Sequence, residues 1–143
     1  MKLATIGYER QTQDEVIGKL VKARVKTLID VRAIAASRRA GFSKGVLAAS
    51  LKEAGIDYVH LRALGTPKAG RDAAHAGRTE EMRRIYEGHL AEPEAQMQLE
   101  EAGRIAKAGK AALLCFEADA CRCHRAIVAE RLHRALGLEV ENL

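Results

Sequence analysis

The sequence predicts an α/β fold: one Rossmann-like three-layer domain over residues 1–143, with a mostly parallel sheet of about five strands and helices on both faces. Three observations predict it. Short apolar runs of strand length alternate with segments of helical periodicity along the whole chain. Helix start and stop signals fall between them. The length, 143 residues, suits a single domain, which buries roughly two-thirds of its unfolded surface, and no repeat or low-complexity linker divides it.

Each element follows in order. Lys2 to Ile6 is a short strand stopped by Gly7. Thr12-Gln-Asp-Glu15 has capping-box spacing, and Val16, Ile17, Leu20 and Val21 form a helical stripe after it. Thr27 to Val31 is the second strand. Ser43 caps a helix carrying Val46, Leu47 and Leu51, which Gly55 ends. Ile56 to Leu61 is the third strand. Arg62 to Arg78, rich in glycine and basic residues, reads as a long loop of the kind that is often functional. Thr79 opens a helix to Leu90, and Pro93 sits in the first turn of the next, which runs to Lys107 and is closed by Gly109. Ala111 to Phe116 is the fourth strand and Cys123 to Leu136 the last long helix. Leu138 to Leu143 alternates apolar with polar, as a short edge strand does.

The apolar fraction, 48%, is that of a globular protein. No apolar run approaches the roughly 20 residues of a membrane-spanning helix, and the N-terminus has no long apolar region of the signal-peptide type. The expectation is a soluble, cytoplasmic protein without a membrane partner. The three cysteines, all within Cys115 to Cys123, do not form a secreted disulfide framework.

The net charge of +5 favours anionic partners. Its distribution says more. Arg32, Arg38, Arg39 and Lys44 share a stretch with no acidic residue, and Arg62, Lys68, Arg71 and Arg78 stand against Asp72 alone. Each arginine taken singly is a solvated surface charge, but their clustering in two loops points to an anion site.

Reactive side chains concentrate in Cys115-Phe-Glu-Ala-Asp-Ala-Cys-Arg-Cys-His-Arg125, where a strand feeds a helix. Cys115, Cys121, Cys123 and His124 are ligand types for tetrahedral zinc. Their spacing argues against zinc, because no separated Cys-x2-4-Cys or His-x3-5-His pair is present and adjacent Cys123 and His124 would diverge at a helix start; no metal or other cofactor is expected. Thiol chemistry is the second reading: at a helix N-terminus among Arg122, His124 and Arg125, Cys123 is a candidate nucleophile. For Cys115 and Cys121 a small buried residue is the simpler account. Anion binding is the third reading, with helix N–H groups receiving a phosphate or carboxylate, Arg125 and Arg32 clamping it, and Glu117 transferring protons. A structural Glu117–Arg125 ion pair stands beside it. The phosphatase loop Cys-x5-Arg is absent, since Cys121 occupies the arginine's position, and so are the Walker loop and the Gly-x-Gly-x-x-Gly fingerprint.

In an open parallel sheet, ligands sit beyond the carboxyl ends of the strands. That rule gathers Gly7-Tyr8-Glu9, Asp30 to Lys44, His60 with Leu64 to Lys68, and Cys115 to Arg125 at one rim.

Thr5-Ile-Gly-Tyr8, Asp30-Val-Arg32, Ser37-Arg38, Phe42-Ser-Lys44, Tyr58-Val-His-Leu61, Leu64-Gly65 and Cys115-x-Glu117-x5-Cys123-His124-Arg125 occur in an order and at a spacing that resembles the bacterial and archaeal domain-of-unknown-function family 488. The resemblance covers nearly the whole chain. It implies a compact α/β domain with these motifs around one pocket, and no particular reaction. By position it implies site residues Tyr8, Asp30, Arg32, Ser37, Arg38, Cys115, Glu117, Cys123, His124 and Arg125, and it sets Cys121 aside as variable. Ala35 stands where the family commonly has proline and Arg10 where glycine is frequent.

The leading expectation is an enzyme, or enzyme-like domain, that binds a small anionic or phosphorylated ligand. Arg32, Arg38 and Arg125 hold the anion, Glu117 and Asp30 manage protons or orient arginines, and Cys123 or Cys115 is the nucleophile of any covalent step. The alternatives are a nucleic-acid-binding module, which basic loops favour and an aromatic content of 3% disfavours as a stacking platform, and a thiol redox or interaction module.

Overall fold

In the computed structural model, which describes residues 1–143, β1 (Lys2–Gly7), β2 (Thr27–Asp30), β3 (Asp57–His60), β4 (Ala111–Cys115) and β5 (Glu139–Asn142) form one sheet. The strand order is β3-β2-β4-β1-β5, and every neighbouring pair is parallel. The helices are α1 (Gln13–Lys22), α2 (Lys44–Glu53), α3 (Lys68–His75), α4 (Thr79–Leu90), α5 (Pro93–Ala108) and α6 (Arg125–Leu136). None is long and apolar enough to cross a membrane.

Strand periodicity divides the core. Successive side chains of β4 point to opposite faces. Ala112 and Leu114 pack with Ala4, Ile6 and Leu28 beneath Val16 and Leu20 of α1 and Leu47 and Leu51 of α2. Ala111, Leu113 and Cys115 pack with Leu3 and Ile29 on the other face, beneath α3 to α6. The three layers follow from chirality. The crossovers β1-α1-β2 and β2-α2-β3 progress toward the β3 edge, and the later ones, β3 to β4 and β4-α6-β5, progress toward β5. Right-handed crossovers running in opposite directions place their helices on opposite faces. The chain therefore leaves β4 on a different face from its neighbours β1 and β2, which opens a crevice at the carboxyl end of β4.

Local signals are realised with three differences. Thr12 and Glu15 form the reciprocal capping box, and Gly55 follows α2 at φ 80°. Ser43 does occupy the N-cap of α2, but its hydroxyl is not used as a cap; it accepts from the Ser37 N–H and donates to the Ser37 carbonyl, tying the basic loop to the helix. The expected loop from Arg62 to Arg78 is instead a 3-10 turn at Arg62–Leu64 followed by α3. Its pattern was hidden because α3 buries only Gly70 and Ala73, so it has no stripe of large apolar residues. Finally, α6 starts at Arg125 rather than Cys123, which lies in extended backbone at φ −125° and ψ 145°.

Candidate functional site

The crevice is closed from above by the segment that follows β4. Gly7 lets it lie directly on the end of β1: a Cβ on Gly7 would fall 1.8 Å from the Glu117 carbonyl oxygen. The Glu9 N–H donates to the Phe116 carbonyl at 2.9 Å, and the Glu9 carboxylate accepts from the Ala118 N–H at 3.1 Å. From behind, buried Arg125 donates through Nη1 to the Glu117 carbonyl and through Nη2 to the Ala118 carbonyl. The Glu117 and Arg125 side chains do not pair with each other. Arg125 braces the backbone of this segment, and its Nε is buried without a partner.

Arg32, at the end of β2, is fixed by a buried acid. Asp30, wholly buried, accepts from Arg32 Nε at 2.9 Å, from Nη2 at 2.7 Å and from the Arg32 backbone N–H at 3.0 Å. Tyr58 of β3 donates its hydroxyl to the same carboxylate at 2.5 Å. Arg32 Nη1 donates to the Tyr8 hydroxyl at 3.1 Å, and the guanidinium carbon lies 5.3 Å from the Tyr8 ring centre. Tyr8 is itself stacked on Phe42 at 4.4 Å and meets Phe116 edge-on at 5.3 Å. A guanidinium has five N–H donors. These contacts occupy Nε and one hydrogen on each terminal nitrogen, so one further hydrogen on each remains. The paired carboxylate outweighs burial and holds Arg32 protonated; burial and the bond to Asp30 push Tyr58 far above the ordinary phenol range.

Opposite Arg32 stands a wall made by the end of β4 and the start of α6. Cys115, Cys123 and His124 are 6%, 3% and 6% exposed. One ligand-type atom from each lies within 4.8 Å of the other two. His124 Nε2 lies 2.7 Å from the Val31 carbonyl, which can only accept, so the proton is assigned to Nε2. Nδ1 faces the sulfurs, 3.6 Å from Cys115 Sγ and 3.6 Å from Cys123 Sγ. The Tyr86 ring meets the imidazole edge-on at 5.1 Å and is anchored by its hydroxyl on the Leu64 carbonyl at 2.7 Å. Cys115 Sγ also donates to Glu117 Oε2 at 3.5 Å.

The acid–base balance of the wall is internally coupled. Donating to Cys123, together with burial, pushes the Cys115 thiol up. Burial also resists a Cys123 thiolate, but the Cys115 hydrogen bond and the His124 charge outweigh it and bring Cys123 well below an ordinary thiol. Burial opposes the His124 charge, and the Cys123 thiolate more than restores it. Burial, with the nearby Cys123, pushes the Glu117 carboxyl up to about 7.

Between Arg32 and this wall lies a cavity of about 150 Å3. Of the sequence-derived residues, Tyr8, Arg32, Cys115, Glu117, Cys123 and His124 line it. Asp30 stands behind Arg32, and Arg125 behind the wall. Ser37 and Arg38 do not line it: Ser37 Oγ accepts from the Arg39 N–H in the loop before α2, and Arg38 is exposed. Cys121 is exposed and outside the cluster. The expectation that Cys123 and His124 diverge is corrected, because the extended backbone at Cys123 brings its sulfur to the imidazole. Sequence reasoning missed His75 and took Arg71 only as one charge of a basic loop, whereas both lie on α3 and line the cavity. Their i, i+4 spacing was the available signal, and it had no meaning while the segment was read as a loop.

The model of the family described as Domain of unknown function DUF488 matches residues 12–132. No curated protein and no solved structure matches the chain.

Proposed function

The chain belongs to the DUF488 family of domains of unknown function, and we propose, from the geometry of its site, that it is an enzyme that takes a small anionic or phosphorylated ligand at the carboxyl rim of its sheet. The observation that carries this reading is Arg32. Its guanidinium is oriented in advance by Asp30 and Tyr8 and retains one unpaired N–H on each terminal nitrogen beside the cavity. Two such hydrogens suit a bidentate contact with a phosphate or carboxylate. Arg71 and Arg122 add positive charge to the lining. Cys115, Glu117, Cys123 and His124 stand across the cavity and supply the reacting group. Asp30 positions Arg32 rather than moving protons itself.

Titration calorimetry with inorganic phosphate tests the binding half. Arg32→Lys keeps the charge and loses the fork, so phosphate should bind at least about tenfold more weakly, a difference of about 1.4 kcal/mol. Arg71→Gln, on the half-buried face of α3, should weaken it without disturbing the Asp30 network. Equal phosphate affinity in the wild type and both folded variants would sink the reading.

A further inference from the structure

We propose that Cys115, Cys123 and His124 form a mononuclear metal centre for a divalent cation of the zinc type, with its fourth position open to the cavity. The geometry of the imidazole leads there. His124 Nε2–H is committed to the Val31 carbonyl, so Nδ1 is the one remaining polar atom of the ring. It stands 3.6 Å from each of two sulfurs. A neutral imidazole has a single lone pair at Nδ1 and an imidazolium a single hydrogen, so hydrogen bonding satisfies one sulfur at a time. A cation at the common centre satisfies all three atoms together.

The distances fit. With Zn–S near 2.3 Å and Zn–N of 2.0–2.1 Å, the S···N edge of a tetrahedron is about 3.5–3.6 Å. Both observed separations have that length. Soft thiolates with an imidazole select zinc over magnesium or calcium. Two thiolates balance the charge of the dication, so the buried site becomes neutral, and coordination deprotonates both thiols. The bond from the remote ring nitrogen to a backbone carbonyl is the usual support of a ligating histidine.

Three protein ligands with one open position make a centre of the catalytic kind, in which a bound water becomes acidic near neutral pH. All three ligands line the cavity, so the open position faces it. Glu117 Oε2, 3.5 Å from Cys115 Sγ, is beside that position and suited to accept a hydrogen bond from the water. This part deepens the proposed function and rests on it: the reacting group opposite Arg32 becomes metal-activated water, and Cys115 and Cys123 are ligands rather than nucleophiles.

Protein grown with zinc, or refolded with zinc and passed through gel filtration, should carry roughly one zinc per chain by elemental mass spectrometry. Cobalt(II) in its place should give a thiolate charge-transfer band in the near ultraviolet and the visible bands of tetrahedral cobalt. Cys115→Ser, Cys123→Ser and His124→Ala should each lower metal content at least tenfold, whereas Cys121→Ser should keep it. Because a ligand variant can misfold, the wild type supplies an independent reading: a thiol reagent should label Cys115 and Cys123 at least tenfold more slowly in the zinc form than after the metal is stripped with a chelator, and label exposed Cys121 equally in both; equal rates at Cys115 and Cys123 in the two forms overturn the centre. A wild type that retains no zinc, gives no cobalt–thiolate band or loses its metal on Cys121→Ser overturns the centre. Phosphate calorimetry separates the two proposals. Arg32-dependent phosphate binding by a protein that takes no metal overturns only the metal centre, and a full metal complement without phosphate binding overturns only the anion site.

Discussion

Asp30→Asn removes one charge at nearly constant volume and isolates the role of the buried pair. Asp30 and Arg32 have side chains that are 0% and 6% exposed. The carboxylate accepts from two guanidinium nitrogens, a backbone N–H and the Tyr58 hydroxyl. Arginine does not shed its proton, so the variant holds an uncompensated cation in the interior. Breaking a buried pair from one side costs about 3–5 kcal/mol. With a urea m-value of about 2 kcal/mol/M for a domain of this size, the unfolding midpoint should fall by about 1.5–2.5 M. The assay is urea denaturation followed by circular dichroism, with the m-value compared to confirm that both proteins unfold the same structure. Adding Arg32→Met to the variant should recover part of the loss, since it removes the stranded charge. A midpoint that moves by less than about 0.3 M would refute the reasoning, because the pair would then contribute no more than an exposed one does.

Three further perturbations probe the surroundings. Gly7→Ala places a methyl 1.8 Å from the Glu117 carbonyl oxygen, so the segment over β1 must lift; thermal unfolding should show a loss of about 1–3 kcal/mol or more, and Cys115 and Cys123 should react faster with a thiol reagent. Arg125→Met keeps the buried stem but strips the donors from the Glu117 and Ala118 carbonyls; each unpaired carbonyl costs about 1–3 kcal/mol, which chemical denaturation should register as a destabilised fold rather than as a selective loss of phosphate binding. Tyr58→Phe loses a hydrogen bond to a charged acceptor, about 1.5–3 kcal/mol. Because burial and Asp30 raise the phenol, the folded protein keeps its proton after the unfolded chain has lost it. The wild type's advantage over Tyr58→Phe is thus full below the ordinary phenol pKa of 10.0 and shrinks as pH rises above it; a stability difference that stays constant through that range would contradict the assignment.

The sequence made the sheet legible because its strands announce themselves locally. Leu28 to Val31 and Ala111 to Cys115 are continuous buried runs, as parallel strands covered on both faces must be. The α3 helix was illegible for a packing reason. A Cβ on Gly70 would lie 2.4 Å from Thr66 Cγ2, so the helix approaches its preceding turn through glycine, and although Ala69, Arg71, Ala73 and Ala74 favour a helix, it offers no large apolar face to mark one. Of the candidate site, Tyr8, Arg32, Cys115, Glu117, Cys123 and His124 line one cavity, while the contacts of Arg125 were not legible. Arg125 has the chemistry of an anion clamp, but its guanidinium ends on two carbonyls, and backbone acceptors have no signature in a sequence. Arg10, noted for standing where the resembled family often has glycine, proves to have φ 61°, the left-handed region in which glycine is at ease.

The position of Cys115 shows how strongly the fold and the chemistry constrain one another. On β4 it shares a face with Ala111 and Leu113, while Ala112 and Leu114 face α1 and α2. A shift of one residue in the pairing of β4 with β1 and β2 would turn Leu114 toward His124 and bury Cys115 under α1, because strand side chains alternate with a period of two. The same slip would place Leu113 and Ala111 against the wrong helices, so the apolar core specifies the register that aims the sulfur. At the other wall, the core does not aim Arg32; a buried carboxylate does. Burying that carboxylate is costly unless the arginine is present, so Asp30 and Arg32 keep each other in place. The two walls thus depend on different terms of the folding energy and meet at one bond, that of His124 Nε2 to the carbonyl of Val31, the residue between Asp30 and Arg32.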